Sequence, residues 1–365
     1  MRIVICPDSF KGTLSSTEVC EAISAGWGDV RPDDDLVLLP LADGGEGTLD
    51  AVHAATPGSV LRSAGLVAGP DGRPVEGRWL RLPDGAAVVE LASTSGLTLL
   101  DAPDPLGATT RGLGQVMREA ARAGAREIVV GLGGSASTDG GLGALAGAGA
   151  IVHRDGGVDE GGGSLRSVRG IDTGPLRAFP PVRLLVDVLS PLCGPQGAAW
   201  VFGPQKGATP EQCALLDQGL QHLAGLLGGD PTLPGCGAAG GTGYGLAQGF
   251  GATVQPGAAS MLDLAGVASA LAEADLVITG EGRFDSQSGL GKLVSAVLAA
   301  AADAGVPARV IAGRVDADPG VPAVALATIA GSDEEAMRRP AHHVRAAARE
   351  LAGALITGGQ AAPRG

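Results

Sequence analysis

The sequence from Glu127 to Ala150 reads EIVVGLGGSASTDGGLGALAGAGA and contains three successive patterns. The β-branched run Ile128–Val130 predicts a buried strand, the glycines and small hydroxyls predict a loop, and the Ala/Leu run predicts a helix. Glycine lets a backbone approach an anion closely, and the first N–H groups of a helix attract negative charge. The stretch therefore predicts a strand–loop–helix unit that holds an anionic ligand, although Asp139 adds a negative charge to the loop.

Length and composition predict a globular protein with room for two domains. The chain has 365 residues, of which 45% are hydrophobic and 18% charged, so it can bury a sizeable core. Its formal net charge of −13 argues against a nucleic-acid partner, because two negative surfaces repel each other. Each of its lysines, Lys11, Lys206 and Lys292, has a glycine directly next to it, and we expect Lys11 in particular to contact an anion.

The cysteines and the apolar runs point to a cytoplasmic protein. The five cysteines show neither a C-x-x-C pair nor a metal-binding spacing, which is typical of reduced thiols. The N-terminal apolar run is too short for a signal peptide, and no longer run predicts a membrane span. We therefore expect neither a membrane nor a nucleic-acid partner.

Both ends of the chain repeat one scheme. RIVICPDS and DDLVLLPLADGGEG each predict a strand and a polar loop before a helix, and Ser15 and Glu18 form a predicted helix cap. The scheme returns with ADLVITGEGRFD and with the predicted strands ARVIAG and AVALATIAG. Since strand–helix alternation implies a parallel sheet, we expect residues 1–60 and 265–365 to form one doubly wound domain.

The middle of the chain, residues 61–264, predicts an inserted mixed α/β domain. It begins with three short strand-like runs joined by the Pro-Asp-Gly turns at residues 70–72 and 83–85, which is the pattern of a meander. We expect the active site in a cleft between the two domains.

Four glycine-rich or polar loops follow predicted strands, at residues 7–12, 42–47, 131–141 and 279–285. In open α/β sheets ligands bind at the carboxyl ends of the strands. Carboxylates beside a phosphate repel it unless a cation lies between them, so these loops together predict bound Mg²⁺. The acids concerned are Asp43, Glu46, Asp139, Glu281 and Asp285.

Dinucleotide binding is a competing interpretation. The run from Gly131 to Ala136 matches G-x-G-x-x-A after a strand, and Asp155 ends a plausible next strand, AIVHRD. This pattern would favour an NAD(P)-dependent oxidoreductase using the GLGGSA loop. A non-catalytic protein that binds an acidic metabolite is a third possibility.

Motifs along nearly the whole chain resemble those of the type-1 bacterial glycerate kinases. They are PDSFKGTLSS, PLADGGEGTLDA, ELASTSGL, ATTRGLG, GLGGSASTDGG, PLCGPQGAA, FGPQKGA, GGTGYGLA and TGEGRFDSQS, in this order. The resemblance implies two α/β domains, one of them flavodoxin-like and built from both chain ends. It also implies ATP-dependent phosphorylation of D-glycerate to 2-phosphoglycerate. Ser190 departs from the family pattern, which commonly has Asn there, so ligand affinity or substrate choice could differ.

Phosphoryl transfer needs alignment, charge neutralisation and a group that takes the hydroxyl proton. We expect Asp43 or Asp187 to be the base, Lys11 to contact phosphate or substrate charge, and Arg283 to bind the glycerate carboxylate. Asp139 and Asp285 are the predicted Mg²⁺ ligands. The phosphate contacts are expected from Gly133, Gly134, Ser135 and Thr138. Further substrate or phosphate contacts are expected from Asp8, Ser9, Gly44, Gly45, Glu46, Ser93, Ser95, Thr110 and Glu281. Glu90, in the apolar run VVELAS, is either a paired buried acid or a site residue at a strand end, and we favour the second.

Overall fold

The computed structural model describes residues 1–156, 160–285 and 292–357. In these ranges the strands are β1 (Arg2–Ile5), β2 (Asp35–Leu38), β3 (Val60–Ala68), β4 (Pro74–Arg81), β5 (Ala87–Glu90), β6 (Ile128–Gly131), β7 (Ile151–Arg154), β8 (Val168–Asp172), β9 (Val182–Val186), β10 (Thr253–Pro256), β11 (Leu276–Phe284), β12 (Ala308–Val315) and β13 (Ala323–Ala325).

The α-helices of the same ranges are α1 (Ser16–Gly28), α2 (Thr48–Ala55), α3 (Ala92–Ser95), α4 (Arg111–Arg122), α5 (Leu142–Ala148), α6 (Ala198–Phe202), α7 (Pro210–Leu227), α8 (Ala238–Phe250), α9 (Gly257–Leu264), α10 (Val267–Leu271), α11 (Leu293–Asp303), α12 (Leu326–Ala330), α13 (Asp333–Arg338) and α14 (Pro340–Thr357). Short 3-10 helices cover Leu97–Leu99, Gly162–Ser167, Gly174–Ala178 and Pro204–Lys206.

These elements pack as two compact units. Unit 1 consists of Met1–Asp43, Asp50–Pro57 and Ala258–Gly365, and unit 2 consists of Gly44–Leu49 and Gly58–Gly257. The short segment Gly44–Leu49 therefore belongs to unit 2, although unit 1 flanks it on both sides in the sequence.

Unit 1 contains a five-stranded, fully parallel sheet with the order β13-β12-β11-β1-β2. Counted within the unit, the spatial order of the strands is second, first, third, fourth, fifth. This order is that of the flavodoxin-like doubly wound fold, in which ligands bind where the strand order reverses, here between β1 and β11. The predicted doubly wound, flavodoxin-like domain is confirmed.

Helix α1 shows how the sequence builds this unit. Ser15 and Glu18 form the predicted capping box: the Ser15 side chain accepts a hydrogen bond from the Glu18 N–H, and Glu18 accepts one from the Ser15 N–H. Val19, Ile23 and Trp27 recur at helical spacing and are fully buried in the core that also contains strand residues of β1 and β11.

The predicted strand AVALATIAG is only partly correct. Strand β13 ends at Ala325, and the chain continues directly into helix α12. Leu326 is buried in the core of unit 1 from this helical position. A short apolar run is compatible with either a strand or a buried helix, so its periodicity alone does not distinguish the two.

Unit 2 contains a six-stranded mixed sheet with the order β10-β9-β6-β5-β4-β3. Strands β10, β9, β6 and β5 run parallel to one another, whereas β4 is antiparallel to both β5 and β3. The antiparallel part is the predicted meander, with turns at the two Pro-Asp-Gly positions. The mixed α/β character predicted for the inserted segment is confirmed.

The strand AIVHRD does not join this sheet. It forms β7, which pairs antiparallel with β8 in a separate two-stranded sheet, and Asp155 forms an ion pair with Arg169. A dinucleotide fold needs the strand after the glycine loop to return to the same parallel sheet. The neighbours of β6 are instead β5 and β9, so the sheet does not have the strand order that the dinucleotide interpretation requires.

None of the helices in the described ranges is both long enough and apolar enough to cross a membrane. The five cysteines are free thiols, and burial raises the pKa of Cys6 to about 12.

Candidate functional site

A group of charged side chains gathers in unit 1 at the carboxyl ends of β1, β2 and β11. The Lys11 Nζ lies 2.5 Å from Asp43 Oδ2, and the side chains of Lys11 and Asp43 are 73% and 35% exposed. The backbone N–H of Asp8 donates to the Gly280 carbonyl at 2.8 Å, which ties the loop after β1 to β11. Asp8, Lys11, Asp43 and Glu281 therefore meet at the switch point of the sheet.

The Asp8 carboxyl group is the most perturbed acid of this group. It is only 8% exposed, and its Oδ1 accepts the Ser9 N–H at 2.7 Å. Burial raises the pKa of Asp8 to about 7, and the negative charges of Asp43 and Glu281 act in the same direction. The Ser9 N–H and the Lys11 charge oppose this rise without cancelling it.

Arg283, predicted to bind the substrate carboxylate, lies at the end of β11 with its side chain 62% exposed. Its Nε donates to Asp316 Oδ2 at 2.7 Å and lies 3.8 Å from Asp285 Oδ2. Arg314, on the neighbouring strand β12, contacts the other oxygen of Asp316. The guanidinium of Arg283 is thus already oriented by acids, and its role towards the substrate stays a prediction.

In unit 2, two glycine loops pack directly against each other at the carboxyl end of β6. The Gly133 N–H donates to the Gly44 carbonyl at 2.9 Å. A Cβ added at Gly131 would lie 2.5 Å from the Gly44 carbonyl oxygen, and one added at Gly133 would lie 2.5 Å from the Gly45 Cα. This close approach explains why both loops are glycine-rich, and it leaves Gly134 exposed at φ +74°.

Asp139 is a buried structural acid, 1% exposed. Its Oδ2 accepts the N–H and the hydroxyl of Thr110, both at 2.8 Å, and the Gly143 N–H at 3.2 Å. Its Oδ1 accepts the Gly141 N–H at 3.0 Å. Burial raises the pKa of Asp139, and these hydrogen bonds oppose the rise. The loop therefore carries an acid that joins the start of α4 to the start of α5, and the Thr110 hydroxyl completes this link by accepting the Ala144 N–H at 2.9 Å.

Lys206 was not among the predicted site residues. Its side chain is 2% exposed, and its Nζ donates to the Ser137 carbonyl at 2.5 Å and to the Ser135 hydroxyl at 3.4 Å. Burial lowers the pKa of Lys206 to about 8, while the charge of Asp139 acts to raise it. The glycine beside it in PQKG was the available sequence signal, but nothing in the sequence indicated which loop the lysine contacts.

The predicted hydroxyl contacts divide into two kinds. Ser93 Oγ donates to the Glu90 carbonyl at 2.9 Å, so it closes a local turn. Ser95 Oγ and Thr138 Oγ1 are fully buried and have no hydrogen-bond partner within the described part of the chain. Buried hydroxyls without a partner are uncommon, and a bound ligand is one way to satisfy them.

Three predicted acids occupy different environments. Glu90, at the end of β5, is 5% exposed and accepts the Leu49 N–H at 3.0 Å, so it fixes the segment Gly44–Leu49 within unit 2. Glu46, in that segment, is exposed. Asp187 follows β9 and is exposed, and a Cβ at Gly257 would lie 2.8 Å from its Oδ2. The predicted roles of Glu46 and Asp187 stay predictions.

The described residues contain no cluster of three or more His, Cys, Asp or Glu side chains that could hold a metal ion. Mg²⁺ accompanying nucleotide phosphates commonly uses one or two carboxylates and needs no such cluster. The partly exposed Asp285 carboxylate fits this requirement, with its side chain 29% exposed. The oxygens of Asp139 already accept four hydrogen bonds, so metal binding there would have to displace some of them.

Comparison with known proteins identifies the family. A family model described as the glycerate kinase family matches residues 3–356. The chain belongs to the glycerate kinase family. A protein named glycerate kinase from Bacillus subtilis (strain 168) is 40% identical, covering 97% of this chain and 98% of its own length. Glycerate 2-kinase from Escherichia coli (strain K12) is 38% identical, covering 98% and 99%.

Comparison with a solved structure supports the same family assignment. The chain resembles a crystal structure from Salmonella typhimurium LT2, provisionally named glycerate kinase 2, with a TM-score of 0.83 and 39% identity. The match covers 98% of this chain and 99% of that one. The two-domain α/β fold and membership of the glycerate kinase family make this chain a phosphotransferase, and a kinase is favoured over the oxidoreductase and the non-catalytic binder.

Proposed function

We propose that this kinase transfers the γ-phosphoryl group of ATP to the 2-hydroxyl of D-glycerate and forms 2-phosphoglycerate. Membership of the glycerate kinase family supports the acceptor, and the name of the Escherichia coli relative, glycerate 2-kinase, supports the position. The proposal requires only small-molecule substrates, and it fits a cytoplasmic enzyme without a nucleic-acid partner.

The observation that carries the proposal is the packing of the two glycine loops in unit 2. Their close approach leaves the backbone of Gly134 exposed after β6, and the buried Lys206 donates hydrogen bonds to the Ser135 hydroxyl and the Ser137 carbonyl. Backbone N–H groups and a nearby cation are suited to phosphate oxygens. We assign phosphate contact to Gly133, Gly134, Ser135 and Thr138.

The charged groups of unit 1 suit the acceptor. In this proposal Lys11, held by Asp43, and Arg283, held by Asp316, offer positive charge to the glycerate carboxylate or to the transferring phosphoryl group. When Mg²⁺ is bound, it supplies charge neutralisation to the phosphates, and Asp285 is the more exposed of the two carboxylates, Asp139 and Asp285, predicted to hold it. Three further expectations stay predictions. They are the base role of Asp43 or Asp187, the Mg²⁺ role of Asp139, and the cleft between the domains.

A coupled assay for ADP release tests the proposal, using D-glycerate, ATP and Mg²⁺, with L-glycerate and excess EDTA as controls. Proton-coupled ³¹P NMR of the product identifies the acceptor hydroxyl. A phosphate on position 2 couples to one proton and gives a doublet, whereas one on position 3 couples to two and gives a triplet. We expect the doublet, and ADP release only when D-glycerate and Mg²⁺ are both present.

Two other results would change the proposed function. A triplet would move the acceptor to the 3-hydroxyl. Glycerate that raises the melting temperature without ADP release would favour a non-catalytic binder.

A further inference from the structure

The position of Asp8 is fixed on both sides by the backbone of unit 1. Its N–H is bonded to β11 through the Gly280 carbonyl, and its Oδ1 is bonded to the N–H of Ser9. The carboxyl group lies where β1 ends, at the reversal of strand order, and it is 8% exposed. This is a preorganised carboxyl group at the ligand-binding edge of a doubly wound sheet.

The charges around Asp8 favour its holding a proton. Among the described residues whose charges act on it, Asp43 and Glu281 are acids and Lys11 is the cation. Lys11 forms its ion pair with Asp43 at 2.5 Å, so its charge is shared between two carboxyl groups. An acid with a pKa near 7 in such a position can accept a proton at neutral pH and release it afterwards.

We propose that Asp8 is the catalytic base that accepts the hydroxyl proton of glycerate during phosphoryl transfer, an assignment that rests on the proposed function. In this step the glycerate oxygen forms a bond to the γ-phosphorus as the bond from that phosphorus to the β–γ bridging oxygen breaks. ADP leaves with the electron pair of the broken bond, and the hydroxyl proton passes to the Asp8 carboxylate. Asp8 then releases the proton to solvent, which balances the reaction.

Two other acids suit this role less well. One oxygen of Asp43 is engaged by the Lys11 ammonium, so Asp43 orients the lysine. Asp187 is exposed to solvent and belongs to unit 2. Of these three acids, Asp8 is the one that combines burial, a fixed carboxyl orientation and like-charged neighbours, the arrangement that tunes carboxylates for proton transfer.

The test measures kcat and kcat/KM for glycerate between pH 5.5 and 9 in the wild type, in Asp8→Asn and in Asp8→Glu. We expect the wild-type activity to rise with pH, so that its pH–activity profile has an ascending limb with a midpoint near pH 7. In Asp8→Asn we expect kcat to fall at least about 100-fold, with both KM values changed less than about three-fold and the limb absent. Asp8→Glu should recover part of kcat. Asp33→Asn, an exposed acid of the same unit, is the matched control and should behave like the wild type.

A second variant keeps the proposal testable if Asp8→Asn fails to fold. Glu281→Gln removes a negative charge that acts on Asp8, so the limb should move to lower pH while activity persists at pH 8. An unmoved limb in Glu281→Gln, or a folded Asp8→Asn that keeps a third of wild-type kcat, would overturn the role of Asp8. A wild-type enzyme without ADP release would instead overturn the proposed function.

Discussion

The Nζ of Lys206 lies 2.5 Å from the backbone oxygen of Ser137, inside a protein of net charge −13 that uses few lysines. Its only described partners at this point are neutral, the Ser137 carbonyl and the Ser135 hydroxyl. The carboxylate oxygens of the nearby Asp139 accept hydrogen bonds from N–H groups and from Thr110, while its charge acts to raise the pKa of Lys206. The positive charge of Lys206 is therefore directed at the loop proposed to hold phosphate.

Replacing Lys206 with methionine should weaken ATP binding. Methionine fills similar space without the charge or the hydrogen bonds, so the loop loses both its anchor and its electrostatic attraction for phosphate. We expect KM for ATP and the dissociation constant for ADP, measured by calorimetry, to rise about ten-fold, equivalent to about 1.4 kcal/mol. Arg126→Met, which removes an exposed cation of the same unit, is the control. Unchanged nucleotide affinity in Lys206→Met would contradict a phosphate role.

The stability of the protein should depend on Asp8 between about pH 4 and pH 7. The folded state raises the pKa of Asp8 to about 7, so it retains a proton that the unfolded chain loses near its ordinary pKa. The free energy of unfolding therefore falls as pH rises through this window, by up to about 4 kcal/mol for the full shift.

Urea unfolding at pH 5 and pH 8 measures this contribution. Asp8→Asn removes the ionisation, so its unfolding free energy should decline less between the two pH values than that of the wild type. The same decline in both proteins would show that Asp8 does not titrate in this range.

The role of Asp139 in folding can be tested against a matched acid. Asp139 Oδ1 accepts the N–H of Gly141, and Asp172 Oδ1 accepts the N–H of Gly174 in the same way, but Asp172 is exposed. Asp139→Asn should lower the unfolding free energy by about 1–3 kcal/mol, because an amide offers one acceptor where the carboxylate offers two. Asp172→Asn should cost less than about 0.5 kcal/mol. Equal costs in urea unfolding would remove the structural role assigned to Asp139.

The packing of the two glycine loops predicts a sharp effect at Gly133. A Cβ there would lie 2.5 Å from the Gly45 Cα, so Gly133→Ala must push the segment Gly44–Leu49 away. We expect a loss of about 1–3 kcal/mol in stability and a reduced kcat/KM for ATP. Gly225→Ala, in helix α7 of the same unit, meets no atom within 4 Å and should stabilise the protein slightly. A Gly133→Ala enzyme with wild-type activity would argue against the loop contact.

Local patterns made much of the fold predictable. The capping box at Ser15, the buried face of α1 and the Pro-Asp-Gly turns of the meander are short-range features, and the structure has each of them. The strand order within each sheet is a long-range property, so the sequence motif at Gly131 could suggest a dinucleotide fold that the pairing of β7 with β8 contradicts.

The candidate site was predictable in composition but not in contacts. The sequence places Asp43, Asp139 and Lys11 in polar loops, yet only the tertiary structure pairs Lys11 with Asp43 and surrounds Asp139 with Thr110 and helix N–H groups. The raised pKa of Asp8 and the burial of Lys206 depend on neighbours far away in sequence, such as Glu281 and Ser137. Residue type and local spacing carry no signal for such effects.

The assignment of Gly44–Leu49 to unit 2 limits how the protein can be divided into separately expressed parts. A truncated polypeptide spanning only residues 58–257 would lack the backbone that covers Gly131 and Gly133 and the N–H that Glu90 holds. Any domain excision or circular permutation that aims at an isolated unit 2 must therefore graft this hexapeptide back onto it.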